Sequence, residues 1–187
     1  MTDYKRTLRK QLLTEAEGYL DLATVFADQW ELSPDVRDRL MNRALDALKK
    51  LEGSGSCPGR MLYLKGQALS AMQRYQDAVA PLVEAAKFDN ENIHVWLALG
   101  WCYKRLGRLD LAIESLEEAL CVDSDEAILH YNLACYWSLA NNPKLAVSFL
   151  ASALDIDPNY RELLADETDF DNVRNDPDFL ALTTVIV

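Results

Sequence analysis

Apolar residues return along the chain at a fixed spacing of 34 residues. The spacing is clearest in three groups, each of which takes one residue from each of three repeats. The groups are Ala78, Ala112 and Ala146; Leu82, Leu116 and Leu150; and Ala85, Ala119 and Ala153. Within one repeat these positions lie four and then three residues apart, which places them on one face of a helix. The pattern therefore predicts three copies of one amphipathic helix.

A second helix is predicted in the first half of each repeat. In the middle repeat its apolar face consists of Trp96, Leu99, Gly100 and Tyr103. Gly100 has Gly66 and Ala134 as its counterparts, and residues this small let two helices approach closely. We therefore predict three units of two helices each, at residues 59–92, 93–126 and 127–160.

Turn residues separate the two helices of a unit. Gly107 can adopt a positive φ where the first helix of the middle unit ends. In the last unit Asn141 and Asn142 take this place, and Pro143 stands near the start of the second helix.

Together these features resemble the tetratricopeptide repeat, in which large, small and aromatic residues recur at fixed positions of a 34-residue unit. The sequence departs from that pattern at Lys65 and His130, which replace apolar residues, and at Asn90 and Ser124, where Pro is usual. The resemblance implies an all-α fold, a right-handed superhelical stack of antiparallel helix pairs. One unit cannot bury its own apolar face, so the units must stack.

Residues 1–58 are predicted to form a degenerate helix pair at the N-terminal end. Tyr19, Leu22, Ala23 and Phe26 follow the first-helix spacing, and Ala44, Leu48 and Leu51 follow the second. Residues 29–37 are an insertion between the two, and Ser33-Pro34 is typical of a helix start. The Gly- and Ser-rich residues 53–59 connect this pair to the repeats, either as a tight connection or as a hinge.

Residues 161–187 are predicted to cap the other end of the stack, and they resemble a tail that follows the last unit of many bacterial repeat proteins. Arg161–Ala165 should begin a capping helix, and Asp176-Pro177 predicts a short helix over residues 177–184. The apolar residues expected to cover the stack are Phe170, Val173, Phe179, Leu180 and Leu182. Residues 183–187 either pack on the cap or remain free.

Composition and charge narrow the class of protein. The net charge of −11 disfavours binding to nucleic acid or to anionic lipid, since both present phosphates. An apolar run long enough to span a membrane is absent from the sequence, and the basic N-terminal residues precede no secretory apolar stretch. We therefore expect a cytoplasmic protein without membrane insertion.

The sequence offers no constellation for catalysis. The four cysteines, Cys57, Cys102, Cys121 and Cys135, form no C-x-x-C pair and have no metal-ligand spacing to His94 or His130. Phosphate loops and dinucleotide-binding or zinc-protease motifs are also missing. We predict no enzymatic activity, no cofactor and no metal site.

The resemblance implies that the first helices line a concave groove in which a partner lies. The predicted groove residues are Arg60, Tyr63 and Gln67; His94, Leu97, Trp101, Lys104 and Arg105; and Tyr131, Asn132 and Cys135. Trp101, Tyr63 and Tyr131 are aromatic anchors of the kind that dominate interfaces. Lys104 and Arg105 favour a protein or peptide partner that is acidic or ends in a carboxylate. Only Asn132 matches the residues with which some relatives clamp a chaperone tail, so that activity is not predicted.

Three functions remain open at this point. The first is an adaptor or scaffold that binds a peptide segment in the groove. The second is a structural module that assembles with copies of itself into a homo-oligomer. The third is a regulatory or chaperone-like subunit of a larger complex.

Overall fold

The structure, a computed structural model, describes residues 2–24, 32–51 and 58–184. Every regular element in these ranges is helical, which confirms the predicted all-α class. The chain forms two compact units, Met1–Asn90 and Glu91–Val187. The predicted division at residues 58 and 160 stays a prediction. Within the described ranges no helix is both long enough and apolar enough to cross a bilayer.

The first compact unit contains two helix pairs. Its helices are α1 (Thr2–Thr24), α2 (Pro34–Lys49), α3 (Pro58–Ala71) and α4 (Tyr75–Phe88). Ser33 precedes α2 at the N-cap position and Pro34 begins the helix, as predicted, but the Ser33 side chain makes no capping hydrogen bond. Met41, Ala44 and Leu48 of α2 are buried against apolar residues of α1 and α3. The predicted connection at residues 53–59 lies largely outside the described residues, as do Phe26 and Cys57.

The second compact unit contains the two other predicted repeat units. Its repeat helices are α5 (Ile93–Arg105), α6 (Leu109–Val122), α7 (Ala127–Leu139) and α8 (Pro143–Ile156). The second helices begin at Tyr75, Leu109 and Pro143, which reproduces the spacing of the sequence pattern. The turns before α6 and α8 contain Gly107 at φ 72° and Asn141 at φ 56°, the left-handed positions that the sequence predicts.

Close helix contact at the small positions is also confirmed. A Cβ atom added to Gly100 would lie 3.3 Å from the carbonyl oxygen of Ala112 and from the Leu116 side chain. At Gly66 the same atom would overlap the Leu82 side chain. These glycines therefore set the distance between the two helices of their units.

The chain after α8 turns back over the second unit. It contains two 3₁₀ helices, η1 (Pro158–Leu163) and η2 (Thr168–Phe170), and the short α-helix α9 (Pro177–Thr183). The capping helix predicted to begin at Arg161–Ala165 is observed as the 3₁₀ helix η1, which ends at Leu163. Asp176 caps α9 by accepting hydrogen bonds from the backbone N–H groups of Asp178 and Phe179. Phe170, Val173 and Phe179 are buried in one apolar cluster with α6, α7 and α8, whereas Leu180 is exposed.

Candidate functional site

The predicted groove residues of the first compact unit lie on α3 and already have partners within the chain. Arg60 forms an ion pair with Glu17 of α1. The side-chain amide of Gln67 donates a hydrogen bond of 2.8 Å to the Tyr63 hydroxyl. Tyr63 is half-buried, and this burial raises the pKa of its hydroxyl. The ion pair and the hydrogen bond therefore fix the orientation of these three side chains through their polar atoms.

Trp101 on α5 is a large aromatic residue that is exposed to solvent. Its exposed fraction is 42 %, although large apolar residues in the middle of a helix are usually buried. Lys104 Nζ lies 5.2 Å and Arg105 Cζ 5.7 Å from the centre of the Trp101 rings, so both cations pack on the indole. The arrangement follows from helical spacing, since residues three and four positions apart share a face.

The remaining predicted residues of α5 lie toward its N-terminal end. His94 is exposed, and its backbone N–H donates to the Asn92 side chain at 3.1 Å, which caps the helix. Leu97 is half-buried and packs at the edge of the apolar cluster of the second unit. Together with Trp101 they form one continuous face of α5.

Lys104 is not the solvated groove cation that the sequence suggests. Its ammonium group forms an ion pair with Asp169 of η2, and the two side chains are only 17 % and 12 % exposed. The same ammonium lies 5.8 Å from the ring centre of Tyr136. Lys104 therefore fastens the C-terminal segment to α5, and this part of the sequence prediction needs correction.

Tyr131 and Cys135 on α7 are covered by the C-terminal segment. Tyr131 is 6 % and Cys135 2 % exposed. The Tyr131 ring packs edge-on against Phe170, with centroids 5.8 Å apart, and lies 4.8 Å from the ring of Tyr160. The expectation that these side chains are accessible in a groove is therefore wrong for the described structure, because η2 lies where a partner was expected.

Asn132 is half-buried, and its side-chain amide donates a hydrogen bond of 2.9 Å to the Ile128 carbonyl one turn earlier in α7. This bond directs the amide donor to its own helix. That donor is therefore already used within α7.

The covered face of α7 is polar as well as apolar. Burial raises the pKa of the Cys135 thiol, and the nearby carboxylates of Glu167 and Asp169 raise it further. The hydroxyls of Tyr131 and Ser138 are buried without a hydrogen-bond partner among the described residues. The sequence pattern does not predict this region, because Glu167 and Asp169 lie outside the repeats and far from Cys135 along the chain.

Short helix pairs at a constant spacing define a helical-repeat protein that presents the faces of its helices to other molecules. A family profile described as tetratricopeptide repeat matches residues 69–130. Residues 69–130 therefore match the tetratricopeptide repeat, as the sequence pattern indicates. Repeats of this kind form a protein-interaction fold.

Solved structures share this fold at low sequence identity. A MamA structure covering residues 41 to the end, from Desulfovibrio magneticus RS-1, is similar with a TM-score of 0.64 and 22 % identity, over 90 % of this chain and 89 % of that chain. YrrB, described as a TPR protein with an unusual peptide-binding site, is similar with a TM-score of 0.63 and 19 % identity over 88 % of both chains. These similarities show the helical-repeat fold.

Two curated relatives are much longer than this chain. Anaphase-promoting complex subunit cut9 of Schizosaccharomyces pombe is 26 % identical over 109 residues, which are 58 % of this chain and 16 % of that protein. Anaphase-promoting complex subunit 3 of Dictyostelium discoideum is 40 % identical over 55 residues, 29 % of this chain and 6 % of that protein. The chain thus spans less than a fifth of either relative.

Proposed function

We propose that this chain is a non-catalytic adaptor that binds an acidic segment of a protein partner on the exposed face of α5. The observation that carries the proposal is Trp101, a large aromatic side chain left 42 % exposed between two basic neighbours. Trp and Arg are the residues most enriched among those that dominate binding energies at interfaces. Tyr131 and Cys135 take no part in this binding while the C-terminal segment covers them.

The charge around Trp101 supports an acidic partner. Arg105 packs on Trp101 and is exposed, whereas Lys104, which also packs on that ring, is already paired with Asp169. Arg105 thus places an exposed positive charge beside Trp101 in a chain whose net charge is −11. An exposed cation on an acidic protein favours encounter with acidic segments, or with a terminal carboxylate, and disfavours basic ones.

The free cysteines support a cytoplasmic location for the adaptor. Cys135 is buried as a free thiol, and Cys121 is free and exposed. Free thiols persist in reducing compartments. A bacterial origin, which the resemblance of the C-terminal segment suggests, stays a prediction.

Selection from a random displayed peptide library tests the proposal. The full chain and its Trp101→Ala variant are used as parallel baits, and Tyr4→Ala is the matched control, because Tyr4 is an exposed aromatic residue on α1. We expect acidic peptides with an apolar residue to be enriched on the native chain and on Tyr4→Ala, but not on Trp101→Ala. Enrichment of the same peptides on all three baits would contradict the proposal.

A second candidate function is a subunit of a multi-protein assembly. It is supported by the similarity to two proteins that are themselves named as subunits of one complex. In that case the partner of the α5 face is a folded subunit and not a free peptide. Light scattering of the purified chain separates both candidates from self-assembly, since a monomer at micromolar concentration excludes a stable homo-oligomer.

A further inference from the structure

Three potential metal ligands meet where the C-terminal segment crosses α7. The Sγ atom of Cys135, one carboxylate oxygen of Glu167 and one of Asp169 all lie within 4.8 Å of one another. A tetrahedral zinc ion about 2.3 Å from sulfur and about 2.0–2.2 Å from oxygen has ligand atoms about 3.4–3.6 Å apart. The three side chains therefore need an inward movement of about 1 Å to share one ion.

Both carboxylates are already held by other groups of the protein. Glu167 Oε1 accepts a hydrogen bond of 3.1 Å from the backbone N–H of Asp169. Asp169 Oδ2 accepts from the ammonium group of Lys104. Each carboxylate thus keeps its other oxygen for an ion, while an outer partner fixes its orientation, which is the usual arrangement around protein metal sites.

An unpaired hydroxyl provides an independent indication that something else binds here. Tyr131 is 6 % exposed, and its Oη atom has no hydrogen-bond partner among the described residues. Tyr131 lies one helical turn before Cys135 on the same face of α7, and its ring packs against Phe170, the residue that follows Asp169. A buried hydroxyl without a partner costs about 1–3 kcal/mol, and a metal-bound water would remove this cost.

We propose that Cys135, Glu167 and Asp169 form a binding site for a divalent cation, with Zn²⁺ as the preferred ion. One thiolate and two carboxylates match the mixed sulfur and oxygen ligands that Zn²⁺ accepts. A water molecule occupies the fourth position, and the Tyr131 hydroxyl donates a hydrogen bond to that water or to a ligand carboxylate. Binding displaces the proton of the Cys135 thiol into solvent.

The charges in the site balance when the ion is bound. Thiolate, two carboxylates and the Lys104 ammonium carry a net charge of minus two, which one divalent cation neutralises. Because Cys135 belongs to α7 and the two carboxylates to the C-terminal segment, the ion fastens that segment to the repeat. Trp101 is not one of the three ligands, so the existence of the site does not depend on the proposed peptide binding, although Lys104 contacts both Trp101 and Asp169.

Titration of the reduced, metal-free full chain with Co²⁺ tests the site. A cobalt–thiolate bond gives a charge-transfer absorption in the near ultraviolet, which requires a cysteine ligand. We expect one equivalent of Co²⁺ to produce this band, excess Zn²⁺ to remove it, and Zn²⁺ to raise the melting temperature. Cys135→Ala should abolish the band, and Glu167→Gln, which keeps the side-chain shape, should weaken Co²⁺ binding at least tenfold.

Cys121→Ala is the matched control, since Cys121 is a free cysteine on the surface. Its titration should equal that of the native chain. Far-ultraviolet circular dichroism of each variant shows that the helices are retained, and Glu167→Gln provides the decisive comparison if Cys135→Ala unfolds. The proposal is overturned if the native chain gives no band, or if the band survives in Cys135→Ala or is unchanged in Glu167→Gln.

Discussion

Asp169 reaches from the C-terminal segment to Lys104 on α5, and the resulting ion pair is largely buried. Phe170, the next residue, is fully buried against Tyr131. Asp169 and Phe170 thus contact Lys104 and Tyr131, the basic and the aromatic residue that the sequence assigns to binding a partner. The proposed binding face is consequently the part of α5 that this segment leaves exposed.

The first prediction concerns the Lys104–Asp169 pair. Lys104→Met and Asp169→Asn should each lower the free energy of unfolding by about 1–3 kcal/mol, since each leaves the other group buried without its partner. The double variant should lose less than the sum, with a coupling of at least about 0.5 kcal/mol. Urea unfolding in the presence of a metal chelator measures these values without a contribution from bound ions.

The exposed ion pair of Lys87 and Glu84 on α4 provides the control for this cycle, because its side chains are 64 % and 52 % exposed. Its coupling should be no more than about 0.5 kcal/mol. Equal coupling in the two cycles would show that Asp169 does not pair with Lys104 in solution.

The second prediction concerns the packing of the C-terminal segment. Phe170→Ala should destabilise the protein by about 3–5 kcal/mol, because the ring is fully buried between Tyr131 and Phe179. It should also make Cys135 accessible to a thiol reagent. Leu180→Ala, on the exposed side of α9, should change stability by less than about 1 kcal/mol. Equal effects of the two substitutions on melting and on thiol labelling would place the segment elsewhere.

The third prediction concerns three glycines in helices. An added Cβ would overlap Leu82 at Gly66, would be tight at Gly100, and would meet nothing within 4 Å at Gly18. Gly66→Ala should therefore destabilise by about 1–3 kcal/mol and Gly100→Ala by less. Gly18→Ala should stabilise by about 0.5–1 kcal/mol, through helix propensity alone. Thermal melts measure the melting temperatures of the three variants. A different order of these temperatures would argue against close helix contact at Gly66.

The repeats could be predicted from the sequence because residues of the same type recur at the same position in three successive units. Helix pairs, the left-handed Gly107 and Asn141, and the close approach at Gly100 all follow from positions that recur at one spacing. Gln73 also has a positive φ of 60°, but Gln is not a residue that signals this conformation.

The C-terminal segment could be predicted only in part, because it occurs once in the chain and has no second copy with which its residues can be aligned. Its apolar residues indicate burial, and Phe170 and Phe179 are indeed buried. The pattern does not indicate which helix face they cover, so Tyr131 and Cys135 were expected to be exposed. The meeting of Cys135 with Glu167 and Asp169 depends on the same path of the chain, which spacing along the sequence cannot reveal.

The fourth prediction concerns the kinetics of partner binding. Arg105 is exposed, whereas Lys104 is held by Asp169, so Arg105→Ala is the substitution that removes accessible charge beside Trp101. Association with a selected acidic peptide should become slower and less dependent on salt, with little change in the dissociation rate. Stopped-flow or surface-binding measurements at two salt concentrations determine both rates. A change confined to the dissociation rate would mean that Arg105 contacts the peptide directly and does not act by steering.

The affinity of a selected acidic peptide for Trp101→Ala measures how much the exposed indole contributes to recognition. Isothermal calorimetry should show a loss of about 2 kcal/mol, roughly thirtyfold in Kd, as expected for an aromatic anchor. Tyr4→Ala should bind like the native chain, and both variants should melt within a few degrees of it. An unchanged Kd for a folded Trp101→Ala would contradict the account and would place recognition away from the exposed face of α5.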